Sequence, residues 1–254
     1  MDILEYNMGE GVKAFSTKRG GCGDNYAGFN ITHYCGDSKE HVASCRAILC
    51  EHLGIEDDQL ILPRQTHGEA TIIIDEQFMS LNKEEQSSLL QGVDAIVTAM
   101  PRVCIGVSTA DCVPILLNDE QAGVVAAIHA GWRGTANRIA EKCITLITNQ
   151  FGSNPANIRA VIAPSIGPDA FEVGDEVYDA FKAANFQMEK IATRAEKWHI
   201  DLWEANRLQL IACGIKEEHI QVSNICTHTH HEEFFSARRL GINSGRIFNG
   251  ITLI

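Results

Sequence analysis

The chain has 254 residues, 45% of them hydrophobic, and a formal net charge of −12 at pH 7. This length is enough to bury a large core, and the composition is that of an ordinary globular protein. The acidic balance argues against general binding to nucleic acids or to anionic membranes, although it is compatible with a local basic pocket. Residues 1–15 lack a basic start followed by an apolar block, and no apolar run is long enough to cross a bilayer. We therefore expect a cytoplasmic protein without a membrane partner.

The nine cysteines are odd in number and scattered, and no two of them are spaced as Cys-x-x-Cys. The spacing therefore indicates neither a zinc ribbon nor a thioredoxin-type redox motif. Reduced thiols fit the expected cytoplasmic location.

The N-terminal part is predicted to contain a strand, a loop and a helix. Val12 to Thr17 alternates like a strand, and a glycine-rich loop over residues 18–30 follows it. This loop lacks the spacing of a Walker loop, so it does not by itself predict a nucleotide site. Asp37 or Ser38 is suited to cap a helix that runs to about Leu53.

A histidine follows in a turn between two predicted strands. The strands are Leu60 to Leu62 and Thr71 to Ile74, and His67 lies between them, a position favoured for functional side chains. Residues 76–91 are polar with weak helical character, which indicates an excursion from the sheet.

Four predicted strands follow in close succession. Several of them are apolar on both faces, as expected of strands buried inside a sheet. They are Val93–Thr98, Val103–Ser108, Val113–Leu117 and Gly123–Ile128. Asp111 and Cys112 fall at the junction between the second and the third.

The segment 128–135, IHAGWRGT, joins the last of these strands to a helix predicted after Gly134. His129 therefore sits where a strand ends. Free backbone N–H groups at a helix start attract anions, and Arg133 adds a planar, permanently charged group suited to phosphate or carboxylate. A tight turn with a core-facing histidine and a surface arginine is an equal alternative.

The remaining elements complete a mixed pattern of helices and strands. A strand is predicted at 160–163, helices from about Asp175 and over Asp201–Cys213, and a strand over Ile220–Ile225. His228, His230 and His231 lie in the polar segment 226–239 and are interpreted as part of a solvated loop. Because no Pro/Ser-rich linker and no repeat interrupts the pattern, we predict a single mixed α/β (α+β) domain over residues 1–254, with a β-rich core and flanking helices.

His67, Cys112 and His129 are the candidate metal ligands. Imidazole and thiolate are preferred zinc ligands, and three protein ligands leave a fourth position open. An open zinc site lowers the pKa of bound water to about 7. The same residues are compatible with a Cys–His pair in which Cys112 attacks a substrate, and with a buried cysteine beside hydrogen-bonded histidines. The residue types alone do not separate these cases.

Six segments together resemble a known family. They are RQTHG (64–68), TADCVPILL (109–117), HAGWRGT (129–135), APSIGP (163–168), FEVGDEV (171–177) and CT…FFSARR…GR (226–246). The family carries the older label multicopper polyphenol oxidase (laccase-like), and its members are now described as purine nucleoside phosphorylases. The segments occur in order and span nearly the whole chain, so the resemblance is specific.

The resemblance implies a fold similar to the cysteine-dependent deamidating toxin domain and a zinc ion bound by His67, Cys112 and His129. Copper is the alternative metal. It implies phosphorolysis of adenosine, inosine and methylthioadenosine, with deamination of adenosine as a second activity. One relative is linked to peptidoglycan editing, so a Cys112-dependent hydrolase or amidase is the alternative. A copper phenol oxidase and a metal-stabilised binding protein without turnover are weaker alternatives.

The expected partners are a purine nucleoside and phosphate, which phosphorolysis must hold beside each other. Candidate phosphate- or ribose-binding residues are Arg46, Arg64, Arg133 and Arg238, with Arg133 the first choice. Cys112, His129 and Asp111 are the candidate catalytic residues, and Glu172 is a second candidate for proton transfer.

The N-terminal segment 30–37 departs from the family pattern. Many relatives read Asn-Leu-Gly-x-His-x-Gly-Asp there, whereas this chain reads NITHYCGD. Tyr34 stands at the usual histidine position, and His33 precedes it. If this side chain contacts the ligand, we expect a different substrate preference.

Overall fold

The computed structural model describes residues 1–20 and 23–254; Gly21 and Cys22 of the predicted glycine-rich loop lie outside the described residues. The strands are β1 (Ile3–Tyr6), β2 (Val12–Thr17), β3 (Leu60–Ile61), β4 (Ala70–Ile74), β5 (Val93–Thr98), β6 (Cys104–Thr109), β7 (Val113–Asp119), β8 (Val124–Ala130), β9 (Arg159–Ile162), β10 (Glu172–Val173), β11 (Ala192–Arg194), β12 (Trp198–Ile200), β13 (Ile220–Val222) and β14 (Ile247–Leu253). The helices are α1 (Lys39–Leu53), α2 (Glu76–Ser80), α3 (Lys83–Leu89), α4 (Trp132–Ala136), α5 (Ile139–Phe151), α6 (Asp175–Ala183), α7 (Met188–Ile191), α8 (Leu202–Ala212) and α9 (Ala237–Leu240). Across this part of the chain, none of the helices combines the length and apolar character needed to cross a membrane.

Two large sheets dominate the described structure. The first has five strands in the order β1-β2-β14-β6-β3, and the second has six in the order β13-β9-β7-β8-β5-β4. A third, three-stranded sheet contains β10, β12 and β11. Both large sheets contain parallel and antiparallel pairs. Together with the helices, these sheets confirm the mixed α/β fold class that the sequence predicts.

Apolar side chains pack between the two large sheets and on the outer face of each. Along β8, Val125 and Ala127 belong to the core between the sheets, whereas Ala126 and Ile128 pack with residues of α5 and α8. This division arises because successive residues of a strand point to opposite sides. On the other sheet, α1 packs through Leu49 against the outer face. The layers are therefore α1, five-stranded sheet, six-stranded sheet and the α5/α8 helices.

Three connections between the large sheets meet at one end of the strands. Residues 62–69 lead from β3 to β4, residues 110–112 lead from β6 to β7, and residues 223–246 lead from β13 to β14. The strand registers place them together, because β3 is parallel to β6 and the start of β14 pairs with the end of β6. This end of the sheets carries most of the predicted site residues.

The structure confirms the predicted first helix and refines the predicted excursion. The Ser38 side chain caps α1, and Gly54 ends it with a left-handed φ of 67°. Such a conformation is favourable for glycine because it has no Cβ. Within residues 76–91 the chain forms two short helices, and the second begins with a capping box between Asn82 and Glu85.

Two predicted boundaries near His129 differ from the structure. The prediction places His129 where the strand ends, but β8 continues to Ala130 because this residue still pairs with β7. The predicted helix after Gly134 instead begins at Trp132 as the short helix α4. Arg138 separates α4 from α5, with a left-handed φ of 62°.

Candidate active site

The structure brings His67, Cys112 and His129 together at the end of the sheets where the three connections meet. Their ligand atoms all lie within 4.8 Å of one another. His67 lies on the β3–β4 connection, Cys112 on the β6–β7 connection, and His129 on β8. The two imidazole rings meet edge to face, with their centroids 4.9 Å apart. Residues that are distant in sequence therefore form one compact group.

A buried carboxylate, Asp94 on β5, supports this group. Its Oδ1 atom lies 2.6 Å from Nδ1 of His129, and its two oxygens accept hydrogen bonds from the backbone N–H groups of Thr66, His67 and Gly68 at 3.2, 3.0 and 2.7 Å. Sequence reasoning missed this residue. The available signal was one acidic residue in an otherwise apolar strand, because a buried charge requires partners.

Gly131 allows the three side chains to approach the backbone. A Cβ atom at this position would lie 3.1 Å from Cδ2 of His67 and 3.3 Å from Sγ of Cys112. Both distances are shorter than ordinary van der Waals contact. The glycine that follows β8 is therefore part of the packing of the cluster.

The electrostatic environment favours a charged pair between Cys112 and His129 when no metal is bound. Burial alone would raise the pKa of the Cys112 thiol, but the His129 charge and hydrogen bonds from His129 and His67 outweigh it and lower that pKa. Burial likewise opposes charge on His129, but the Cys112 thiolate and the Asp94 carboxylate raise its pKa. A thiolate is both a metal ligand and a nucleophile.

The cluster lies on the wall of a cavity of about 670 Å³. Its lining includes the polar residues Tyr34, Gln65 and Ser108 and the apolar residues Ile166 and Phe171. The volume and the mixture of apolar and polar groups are typical of a small-molecule site. The Tyr34 hydroxyl lies 3.2 Å from the carbonyl oxygen of Pro63 and 3.3 Å from Oε1 of Gln65.

Of the four predicted arginines, the structure places only Arg238 on this cavity. Arg46 and Arg64 line a separate depression, where Arg46 forms an ion pair with Asp57 at 2.7 Å. Arg133 stacks over the ring of the neighbouring Trp132, with its guanidinium carbon 4.2 Å from the ring centroid. The sequence did not show which side of each element these arginines occupy.

Arg246 also lines the cavity, although sequence reasoning did not select it as a binding residue. Its guanidinium donates to backbone carbonyls within the 242–246 turn. Arg246 ends the 226–246 segment that carries part of the family resemblance, so its position along the chain was the only signal.

The two candidate proton-transfer residues lie in different environments. Asp111 lines the cavity, and its carboxylate accepts hydrogen bonds from the Thr227 hydroxyl at 2.7 Å and from the backbone N–H of Arg238 at 2.6 Å. The Glu172 side chain instead forms an exposed ion pair with Lys197 at 2.7 Å. Asp111 is thus the candidate that contacts the cavity.

His228, His230 and His231 lie in the polar connection from β13 to β14. Within residues 1–20 and 23–254, the group that has metal-binding spacing is His67, Cys112 and His129, and it does not include His228, His230 or His231. His230 is exposed and its Nδ1 atom lies 3.1 Å from the Cys226 carbonyl oxygen. This arrangement agrees with the interpretation as a polar loop.

The cluster fits a metal ion by its donor chemistry. Two imidazoles and one thiolate suit zinc and copper alike. The Asp94 carboxylate is hydrogen-bonded to Nδ1 of His129, so Nε2 is the ring nitrogen that is free to bind a metal ion. A carboxylate hydrogen-bonded in this way commonly supports a metal-bound histidine. The residues therefore support a metal, copper or zinc.

Three comparisons place these residues among known proteins. The family described as "Multi-copper polyphenol oxidoreductase laccase" matches residues 12–254. A Bacteroides thetaiotaomicron protein named purine nucleoside phosphorylase is 45% identical over 94% of this chain and 90% of its own length. A protein named adenosine deaminase RL5, from an unknown prokaryotic organism, is 50% identical over 95% of this chain and 94% of its own length. The crystal structure of Bacillus licheniformis hypothetical protein YfiH superimposes with a TM-score of 0.92 at 29% identity, covering 99% of this chain and 96% of that one.

Proposed function

Because the chain belongs to the multi-copper polyphenol oxidoreductase laccase family, whose named relatives support an enzyme of purine nucleoside metabolism, we propose that it is a zinc-containing purine nucleoside phosphorylase. The proposed substrates are adenosine, inosine and S-methyl-5′-thioadenosine, together with phosphate. Deamination of adenosine is the proposed second activity. The observation that carries this proposal is the His67–Cys112–His129 cluster on the wall of a cavity that also contains Arg238.

In this proposal His67, Cys112 and His129 hold the zinc ion. When bound, zinc supplies a Lewis acid that lowers the pKa of water to about 7, which suits attack at C6 of a purine. The chain contributes the orientation of the ligands, because Asp94 fixes His129 and Gly131 leaves room for the side chains.

Phosphorolysis forms a bond between a phosphate oxygen and the anomeric carbon of the ribose, and it breaks the glycosidic bond to the purine. The leaving purine takes up a proton. Arg238 and Arg246 provide the positive charge on the cavity wall that would bind phosphate. Asp111 is the proposed proton carrier, and it also holds the backbone of Arg238 beside the cavity. The chain thus acts mainly by positioning and charge stabilisation.

Chromatography of the products tests the proposal. Purified protein is incubated with adenosine, with and without phosphate, and compared with Cys112→Ala and with Cys213→Ala, which removes another partly exposed thiol. We expect adenine only in the presence of phosphate, inosine in both samples, and loss of both products in Cys112→Ala alone. Intact adenosine in the presence of zinc-loaded protein would contradict the proposal.

A Cys112-dependent hydrolase or amidase is the second candidate. It is favoured by the lowered pKa of Cys112 and by the chain of contacts from Cys112 through His129 to Asp94, which resembles a nucleophile, a base and its orienting carboxylate. Such an enzyme would keep its activity after chelation and lose it on alkylation of Cys112. Assays with amide and cell-wall substrates on chelated protein separate this candidate from the phosphorylase.

A further inference from the structure

We infer that Asp94 is a positioning residue that orients both histidines of the metal cluster through a single carboxylate. The inference rests on the proposed function only in taking the cluster as a metal site, and it requires no particular substrate. Asp94 lies on β5 beside β8 and is fully buried. Its contacts reach the strand that carries His129 and the turn that carries His67.

The first contact sets the hydrogen-bonding state of the His129 ring. Oδ1 of Asp94 lies 2.6 Å from Nδ1 of His129. Because a carboxylate only accepts hydrogen bonds, Nδ1 carries the proton, and the lone pair of Nε2 is left for the cluster. Only 3% of the His129 surface is exposed, so the ring has no alternative orientation in which Nδ1 bonds to solvent instead of Asp94.

The second set of contacts shapes the turn that carries His67. The same Oδ1 atom accepts the backbone N–H of His67 at 3.0 Å, and Oδ2 accepts those of Thr66 and Gly68 at 3.2 and 2.7 Å. His67 has a left-handed φ of 61°, which is uncommon for a residue with a side chain and requires support from its surroundings. Asp94 supplies that support through three consecutive N–H groups.

A single oxygen of the Asp94 carboxylate therefore contacts both histidines. Oδ1 of Asp94 contacts the ring of His129 and the backbone of His67 together, so a displacement of the carboxylate moves both ligands. Cys112 reaches the cluster from a different connection, the one between β6 and β7. Asp94 thus positions two of the three ligands without being a ligand itself.

Asp119 provides a matched control for removing a buried carboxylate. It lies at the opposite end of the six-stranded sheet and is also buried. Its oxygens accept hydrogen bonds from the backbone N–H groups of Gln121 and Ala122 and from the Ser153 hydroxyl. Asp119→Asn and Asp94→Asn therefore disturb similar hydrogen-bonding environments, but only the second touches the metal cluster.

The test measures zinc affinity by competition with a chromogenic chelator. We expect Asp94→Asn to weaken zinc binding about 10- to 100-fold, the usual range for loss of a support residue. Asp119→Asn should keep the wild-type affinity. In the cobalt-loaded protein, the absorption spectrum should change for Asp94→Asn and not for Asp119→Asn. Equal zinc affinities of Asp94→Asn and the wild type would overturn the inference.

A measurement on the wild-type protein covers the case in which Asp94→Asn does not fold. Nitrogen-15 NMR of histidine-labelled, zinc-loaded protein identifies which ring nitrogen of His129 is protonated. We expect a protonated Nδ1; a protonated Nε2 would overturn the inference. Because neither measurement uses a nucleoside, failure of the phosphorylase proposal would leave these results unchanged.

Discussion

The backbone N–H of Arg238 donates to Oδ2 of Asp111 at 2.6 Å and so joins the β13–β14 connection to the turn that carries Cys112. The Arg238 guanidinium lies 3.3 to 3.4 Å from the carbonyl oxygens of Ala170 and Glu172. Arg238 is therefore held by its backbone on one side and by its side chain on the other. This arrangement places a permanent positive charge on the wall of the cavity that His67, Cys112 and His129 also line.

The first prediction concerns phosphate binding by Arg238. Arg238→Gln removes the charge but keeps the backbone N–H that contacts Asp111. We expect the KM for phosphate to rise about 10- to 100-fold, because a hydrogen bond to a charged group contributes about 1.5–3 kcal/mol. Zinc content should not change. Arg239→Gln is the matched control, since Arg239 is the exposed neighbour and does not line the cavity. An equal effect of both substitutions would refute a specific role for Arg238.

The second prediction concerns the space at Gly131. Gly131→Ala would place a methyl group 3.1 Å from Cδ2 of His67 and 3.3 Å from Sγ of Cys112, so these ligands must move. We expect at least a tenfold loss of zinc affinity, comparable to loss of a support residue. The zinc content of the variant and of the wild type, measured after dialysis against a buffer of fixed free zinc concentration, gives this loss of affinity.

Gly167→Ala serves as the control for that substitution. Its methyl group would lie equally close, at 3.1 Å, to the Trp203 ring, and at 3.2 Å to Cβ of Cys226, neither of which belongs to the cluster. We expect Gly167→Ala to lower the melting temperature while keeping its zinc. Loss of zinc in both variants would show that general destabilisation explains the effect.

The third prediction concerns metal removal and the reactivity of Cys112. In chelated protein, the neighbouring His129 charge lowers the pKa of Cys112, whereas burial raises the pKa of Cys213 to about 11. Both residues are partly exposed. We expect iodoacetamide to modify Cys112 at least tenfold faster than Cys213 at neutral pH, because the thiolate is the reacting form. Peptide mass spectrometry gives both rates. Added zinc should protect Cys112 alone, and unprotected Cys112 would contradict its role as a ligand.

The fourth prediction concerns alkaline pH and Cys143, which lies on the buried face of α5. Burial raises its pKa from 9.0 to about 12 in the folded protein. Above about pH 9 the unfolded chain therefore releases a proton that the folded chain retains, and stability falls by up to about 1.4 kcal/mol per pH unit. Below that pH the contribution is fully present.

Urea unfolding of the wild type and of Cys143→Ala, in reducing buffer from pH 7 to about pH 10.5, measures this contribution. At neutral pH the variant should be about 1–2 kcal/mol less stable because of the small cavity. We expect this difference to shrink as the pH rises, since the variant lacks the titrating thiol. Parallel curves for the two proteins would contradict the raised pKa.

The sequence predicted the elements around the site better than the contacts within it. The central strands are mostly apolar on both faces, so β5 to β8 were predictable to within a few residues. His67, Cys112 and His129 were predictable as a set through the family resemblance and through their predicted positions in loops or at strand ends. These three residues come together because of the order of the strands in the sheets, and local sequence patterns do not determine that order.

The predicted arginines show that local sequence patterns do not determine which surface a side chain reaches. Arg46 and Arg64 lie on elements that the sequence predicted correctly, yet their side chains line a different depression. Which face a side chain occupies depends on the packing of α1 and of the β3–β4 connection against the sheets. Asp94 was missed for the related reason that its partners, Thr66 to Gly68 and His129, are distant in sequence.

The crossing of the chain between the two large sheets has a mechanical consequence. His67 and Cys112 lie on two separate connections that lead from the five-stranded sheet to the six-stranded sheet, and His129 lies on the second sheet itself. A metal ion held by all three side chains would link the β3–β4 and β6–β7 connections to β8. Separation of the layers at this end would then require release of the ion, so a bound metal ion would stabilise this end of the molecule against unfolding.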